Sequence, residues 1–193
     1  MTFYDEHPFD FARNIREWLW LNRLKRWLNN KVFYDKMLDL GCGTGILTEL
    51  LSRFAGSVVA LDKSARSIRI CKDKVPGVIF LVDDLDKLKV EYWPVDIVFC
   101  MGVLHHTENG MENLKKFKAK KYVISVYHKG GRYWWLYKLF KGRKLWKHPW
   151  YQDMYMTPIV HFYDDDDIPE CFEITYKKRL WFTPQTIYEL RRV

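Results

Sequence analysis

From Asp39 to Gly45 the chain reads D-L-G-C-G-T-G, a carboxylate two residues ahead of three glycines that alternate with single residues. Met37, Leu38 and Leu40 suit a buried strand running into this turn, and Ile46 to Leu51 resumes apolar spacing at helical period. Strand, glycine turn and helix form the entry unit of a nucleotide-binding α/β sheet. The spacing separates two ligand chemistries. A dinucleotide turn carries G-x-G-x-x-G and seats a pyrophosphate on the helix N-terminus. Here the third glycine comes one residue early, and Asp39 would oppose a phosphate but attract an ammonium.

Further acids stand where strands are expected to end. Ser57–Leu61 reads as a second strand, followed by Asp62, 21 positions beyond Gly41. That is close to the ~20 expected of an acid that grips a ribose diol. Asp62 could equally cap the helix that Lys63-Ser64-Ala65 opens. Val78–Val82 reads as a third strand, leading to Asp83-Asp84-Leu85-Asp86, and Asp96–Cys100 as a fourth, leading to M-G-V-L-H-H.

The first stretch resembles motif I of the class I S-adenosylmethionine (SAM)-dependent methyltransferases, apolar-Asp-apolar-Gly-Cys-Gly-x-Gly, and V-L-H-H resembles their ubiquinone/menaquinone-type subgroup. SAM carries an ammonium and a sulfonium and no phosphate, as the glycine spacing asks. The resemblance implies cofactor contacts at Asp39, Gly41, Cys42, Gly43, Gly45, Asp62 and Lys63. Family backbone from the turn after strand four lies against the methionine end of SAM, which implies Met101 and Gly102. The family's F-x-x-G-D-A-x-x-L aligns with F-L-V-D-D-L-D-K-L, which implies Asp84 and Leu85 at the adenine and puts Asp83 where a glycine is usual. If the acceptor carries a proton, a base must take it. His105, Tyr127 and His128 are the candidates, with His106 beside the first; a histidine at a helix start can equally serve only to bond backbone.

These residues need a sheet to hold them. Tyr122–Tyr127 reads as a fifth strand, Phe172–Tyr176 as a sixth and Ile187–Val193 as a seventh, antiparallel one. Phe11, Ile15, Trp18, Leu21, Leu24 and Leu28 recur at three- and four-residue steps, predicting an amphipathic helix over 8–30; the resemblance implies that such a leading helix packs beside the sheet or covers the cofactor. The expected architecture is one domain over 1–193, a Rossmann-like seven-stranded sheet with helices on both faces. A 193-residue chain with 48% hydrophobic residues can bury a full core and is not disordered. The N-terminal stretch lacks a basic region followed by an apolar one, and no apolar run approaches the roughly 18 residues of a membrane span. Cys42, Cys71, Cys100 and Cys171 are scattered, which reads as reduced thiols in a cytoplasmic protein rather than staples or a zinc site. The acids at 164–167 are expected to cap a helical turn, and no metal is expected.

The net charge of +8 sits in one place. Residues 113–152 hold 12 Lys or Arg and no acid, and aromatic side chains interleave with the cations from Arg132 to Trp150. Three functions fit. The first is transfer of a methyl group to a small acceptor of acidic or aromatic character. The second is methylation of RNA or DNA, with the basic aromatic segment as its platform. The N-P-P-Y or D-P-P-Y motif for exocyclic amino groups is missing, and Cys100 lacks the preceding proline of a cytosine-attacking thiol. The third is a SAM-binding module without catalysis. No obligate protein partner is inferred.

Overall fold

The computed structural model describes residues 15–29, 33–88, 94–130, 134–135, 138–139, 160–180 and 185–193. Its strands are β1 (Tyr34–Leu40), β2 (Ala55–Asp62), β3 (Ile79–Val82), β4 (Val95–Met101), β5 (Ala119–Tyr127), β6 (Phe172–Arg179) and β7 (Gln185–Arg192). They form one sheet in the order β3-β2-β1-β4-β5-β7-β6. The pairings from β3 through β5 are parallel, while β7 lies antiparallel between β5 and β6. The expected seven-stranded α/β sheet is therefore present, with the seventh strand reversed as the sequence suggested.

The central strands are covered on both faces, which is why they read as continuous apolar runs instead of alternating ones. In β4, Ile97 and Phe99 join one core while Val98 and Cys100 join the other. The first core also takes Met37, Val58 and Val123, and is capped by Leu24 and Leu28 of helix α1 (Ile15–Asn29) and by Leu47, Leu50 and Leu51 of α2 (Ile46–Ser52). The Trp27 ring meets Phe99 edge-on, 6.4 Å between centroids. Helix α1 thus packs on the sheet, one of the two roles expected for it; residues 8–14 of the predicted helix lie outside the described residues. The second core takes Leu38, Leu40, Leu61, Tyr122, Ile124 and Tyr188, with Met111 and Leu114 of α4 (Gly110–Leu114).

Helix α3 (Ala65–Lys74) follows β2 and sets Ile68 and Cys71 against Ala60 and Phe80. Ser64 caps it, its side chain accepting from the Ser67 amide at 3.1 Å, so the capping role considered for Asp62 belongs to Ser64. The acidic run behaves as expected: Asp165–Asp167 is a 3-10 turn, and Asp167 Oδ2 accepts from the Asp164 amide at 2.7 Å. Lys129 Nζ pairs with Asp164 and Asp167.

Of the basic aromatic segment, Trp134, Trp135, Lys138 and Leu139 are helical; Lys141, Arg143, Lys144 and Trp146 lie outside the described residues. Among the described residues no helix is long and apolar enough to cross a membrane, and no cluster of His, Cys, Asp and Glu could hold a metal ion.

Candidate active site at the carboxyl edge of the sheet

In an open α/β sheet the ligand crevice lies outside the carboxyl ends of the strands, where the strand order reverses. Here that point is between β1 and β4, whose ends are Leu40 and Met101. Two adjoining cavities open there and share Gly41, Gly43 and Met101. The larger is lined further by Leu61, Asp62, Lys63, Asp83, Leu85, Gly102, Val103, His106 and Thr107. The smaller holds Asp39, Cys42, Thr44, Ile46 and Leu47.

The glycine turn is built for close approach. Gly41 has φ +73°, and a Cβ there would collide with the Val103 side chain. Gly45, at φ +84°, leaves the cavities to its neighbours; its absent Cβ would stand 2.9 Å from Cys71 Sγ, so its part is to let α3 close on the turn. Cys42 and Cys71 are both buried, and a hydrogen bond to Cys71 together with burial pushes the Cys42 thiol up, leaving it a poor nucleophile.

Asp62 ends β2 and faces the larger cavity. Its Oδ2 accepts from the Gly43 amide at 2.9 Å and its Oδ1 from the Ser64 amide at 2.8 Å. Asp39, 1% exposed, accepts from the Thr48 hydroxyl at 2.6 Å. Burial pushes its pKa up to about 7; the Thr48 hydrogen bond opposes this and the nearby Asp62 charge adds to it. A buried carboxyl held this far above its usual range is one that a nearby cation would ionise.

One expected residue changes place. Asp84, anticipated at the cavity wall, caps the 3-10 turn Leu85–Lys87 instead, its Oδ1 accepting from the Asp86 amide at 3.1 Å. Asp83, 92% buried, occupies the wall, and its Oδ1 accepts from the Asp84 amide at 2.9 Å. β3 ends at Val82, so the first acid is the one that turns inward. Asp86 ties two walls together: it accepts from the amides of Glu108 and Asn109 and from Asn113 Nδ2, at 2.9, 3.1 and 2.9 Å.

The expected proton acceptors also move. His105, Tyr127 and His128 lie outside the lining of both cavities. The His105 ring stacks on Tyr127 with centroids 3.7 Å apart, and its burial drives its pKa well below the usual imidazole range. His128 is lowered by burial, with Arg179 and Lys177 nearby adding to the effect. His106 is the histidine that lines the larger cavity.

The glycine turn, the sheet order and the acids at the strand ends make one site. Residues 37–120 match the family described as methyltransferase domain. A mitochondrial ubiquinone biosynthesis O-methyltransferase of Schizosaccharomyces pombe is 34% identical over 96 residues, 44% of this chain and 33% of that protein. The stretches matched span less than half the length of such curated relatives, 33% to 44% in three of them. Among solved structures, the magnesium protoporphyrin IX methyltransferase of Synechocystis PCC 6803, with S-adenosylhomocysteine (SAH) bound, superposes with TM-score 0.67 at 18% identity. The superposition covers 96% of this chain and 90% of that one. The N-methyltransferase NodS of Bradyrhizobium japonicum WM9, also with SAH, gives 0.67 at 14% identity, covering 94% and 89%. At those identities the methyltransferase fold is what is shared.

Leu61, Asp83, Val103, His106 and Thr107 line the larger cavity without having been singled out as cofactor contacts. Asp83 carried a signal in the sequence, an acid directly after a strand.

Proposed function

We propose that the chain is a SAM-dependent methyltransferase that acts on a small-molecule acceptor. The observation that carries this is Asp62, which ends β2, holds the Gly43 amide and faces the cavity beside the glycine turn. SAM supplies a methyl group on a sulfonium, an excellent leaving group. Asp62 accepts from the ribose hydroxyls, each charged hydrogen bond being worth roughly 1.5–3 kcal/mol. Asp83 accepts from the adenine amino group beside Leu85, and Asp39 faces the ammonium across the smaller cavity. Gly41 and Gly43 let backbone lie against the ligand where a side chain would stand. The domain's main contribution is alignment of acceptor and methyl, an effect of ~7–11 kcal/mol where the geometry is good.

The relatives named for ubiquinone biosynthesis are O-methyltransferases, and the superposed Synechocystis enzyme is named for a porphyrin. A hydroxyl on an aromatic or acidic metabolite is therefore the first acceptor to test. Lys138 Nζ sits 3.8 Å over the Trp134 ring, and Trp135 and Leu139 are exposed, so the basic segment presents stacking surface and positive charge together. That combination favours an anionic acceptor. The four cysteines are free thiols, in keeping with a cytoplasmic setting.

Calorimetry with SAH and with NAD tests the cofactor, SAH binding and NAD not. Methyl-labelled SAM incubated with cell extract tests the reaction. Label in small molecules supports the reading, label in RNA favours the nucleic-acid alternative, and SAH binding with no transfer leaves a binding module.

A further inference from the structure

Two of the most exposed large hydrophobic side chains among the described residues are Trp135, 62% exposed, and Leu139, 67% exposed. Both are helical, and four residues apart they stand on one face. Ile79 and Val82 are exposed too, but three apart on β3 they point to opposite faces of the sheet. Trp135 and Leu139 therefore form an apolar stripe that the protein itself does not cover.

Charge flanks the stripe. Lys138 Nζ sits 3.8 Å over the Trp134 ring and 5.9 Å from that of Trp135, and the two indoles meet edge-on with centroids 4.9 Å apart. A lysine held along an indole keeps its carbons on apolar surface and its ammonium at the rim. The surrounding sequence, residues 113–152, carries 12 Lys or Arg and no acid. A stripe of indole and aliphatic groups edged by cations matches the boundary between acyl chains and anionic headgroups, where tryptophan concentrates. A run of nucleic-acid bases matches it less well, since Leu139 has no ring for a base to stack on.

The stripe is tethered to the cavity edge of the sheet. β5 runs parallel to β4 with Ser125 opposite Met101, so both strands end where the larger cavity opens. His128 bridges to Tyr163 and the Lys129 amide donates to the Tyr163 carbonyl, which carries the chain on beyond β5. Trp134 follows Gly130 by four residues, a reach of at most about 14 Å.

We propose that this face docks the protein on a membrane surface rich in anionic lipid and so holds the cavity edge near the bilayer. This goes beyond methyl transfer and does not depend on it. Trp135 and Leu139 enter the acyl boundary, and Lys138 stays among the headgroup phosphates. The two contributions respond differently to salt: charge attraction is screened, apolar burial is not.

The test is co-sedimentation of the full chain with vesicles of phosphatidylglycerol and phosphatidylcholine in equal parts, against vesicles of phosphatidylcholine alone. The anionic vesicles should bind at least about tenfold more tightly, and less so as salt rises from ~50 to ~500 mM. Trp135→Ser with Leu139→Ser should lower partitioning about tenfold and keep the salt response. Lys138→Gln should lower it severalfold at low salt only. Melting temperature and the Kd for SAH should match wild type in these variants, because the side chains replaced are exposed. Leu139→Ser alone repeats the measurement should the double variant fold poorly. Equal binding to both vesicle types, binding to neither, or wild-type partitioning in the serine variants overturns the proposal. Release by excess soluble glycerol phosphate overturns it in favour of a phosphate site. Binding of single-stranded RNA without binding of vesicles overturns it in favour of a nucleic-acid surface.

Discussion

Asp62 and Gly43, 19 positions apart, are joined by a 2.9 Å hydrogen bond from the glycine amide to the carboxylate. The acid that faces the cavity therefore also fixes the turn that forms the cavity's other wall. Asp62→Ala should weaken SAH binding by more than about tenfold, since it removes charged hydrogen bonds to the ligand and loosens the turn. Asp62→Asn keeps one acceptor oxygen and should fall between. Calorimetry giving unchanged affinity in the alanine variant would remove Asp62 from the ribose site.

Asp83 and Asp84 separate binding from local stability. Asp83→Ala should weaken SAH binding more than Asp84→Ala, because Asp83 lines the cavity while Asp84 caps the following turn. Loss of that cap should cost about 1 kcal/mol of stability. Paired Kd and thermal melting measurements check both halves. The reverse ranking in Kd would return the adenine to Asp84.

Why the sequence did not show which acid of this pair lines the cavity is physical. A strand followed by acids is visible in the apolar run Val78–Val82, but with two adjacent carboxylates and no glycine the chain does not say which one turns inward. The cavity histidine was hidden for a related reason. The segment after β4 is a 3-10 turn, in which successive side chains stand about 120° apart. His105 is thereby buried on Tyr127 while its neighbour His106 lines the larger cavity. The parallel core was legible because strands buried on both faces are unbroken apolar runs. β6 was expected to stop at Tyr176 yet reaches Arg179, since Lys177, Lys178 and Arg179 lie exposed and carry no apolar pattern. Motif I was legible for a third reason: its glycines are demanded by backbone and contact, as the collision of a Cβ at Gly41 with Val103 shows.

Asp86 is a structural clamp whose loss should reach the cofactor. Both of its oxygens accept, from the Glu108 amide on one side and from the Asn109 amide and Asn113 side chain on the other. An amide in its place would turn an NH2 group toward one of these donors. Asp86→Asn and Asp86→Ala should therefore both lower the melting temperature and weaken SAH binding by severalfold. Retention of wild-type affinity and melting temperature in both variants would show that the two walls hold their spacing without it.

Asp39 should make SAH affinity depend on pH. Its pKa in the ligand-free fold is raised from 3.8 to about 7 by burial. The proton is therefore held more tightly in the fold than in the unfolded chain. This group's contribution to stability is complete below about pH 4 and is lost as pH rises through about 7. An ammonium in the adjoining cavity favours the carboxylate and reverses that preference, so binding expels the proton. SAH affinity should accordingly increase from pH 5.5 to about 7, with proton release visible in calorimetry across buffers of different ionisation enthalpy. Asp39→Asn keeps an oxygen to accept from Thr48 but cannot ionise. It should bind SAH more weakly at neutral pH and lose both the proton release and the slope below pH 7. If Asp39→Asn keeps the wild-type slope, the titrating group lies elsewhere and Asp39 does not face the ammonium.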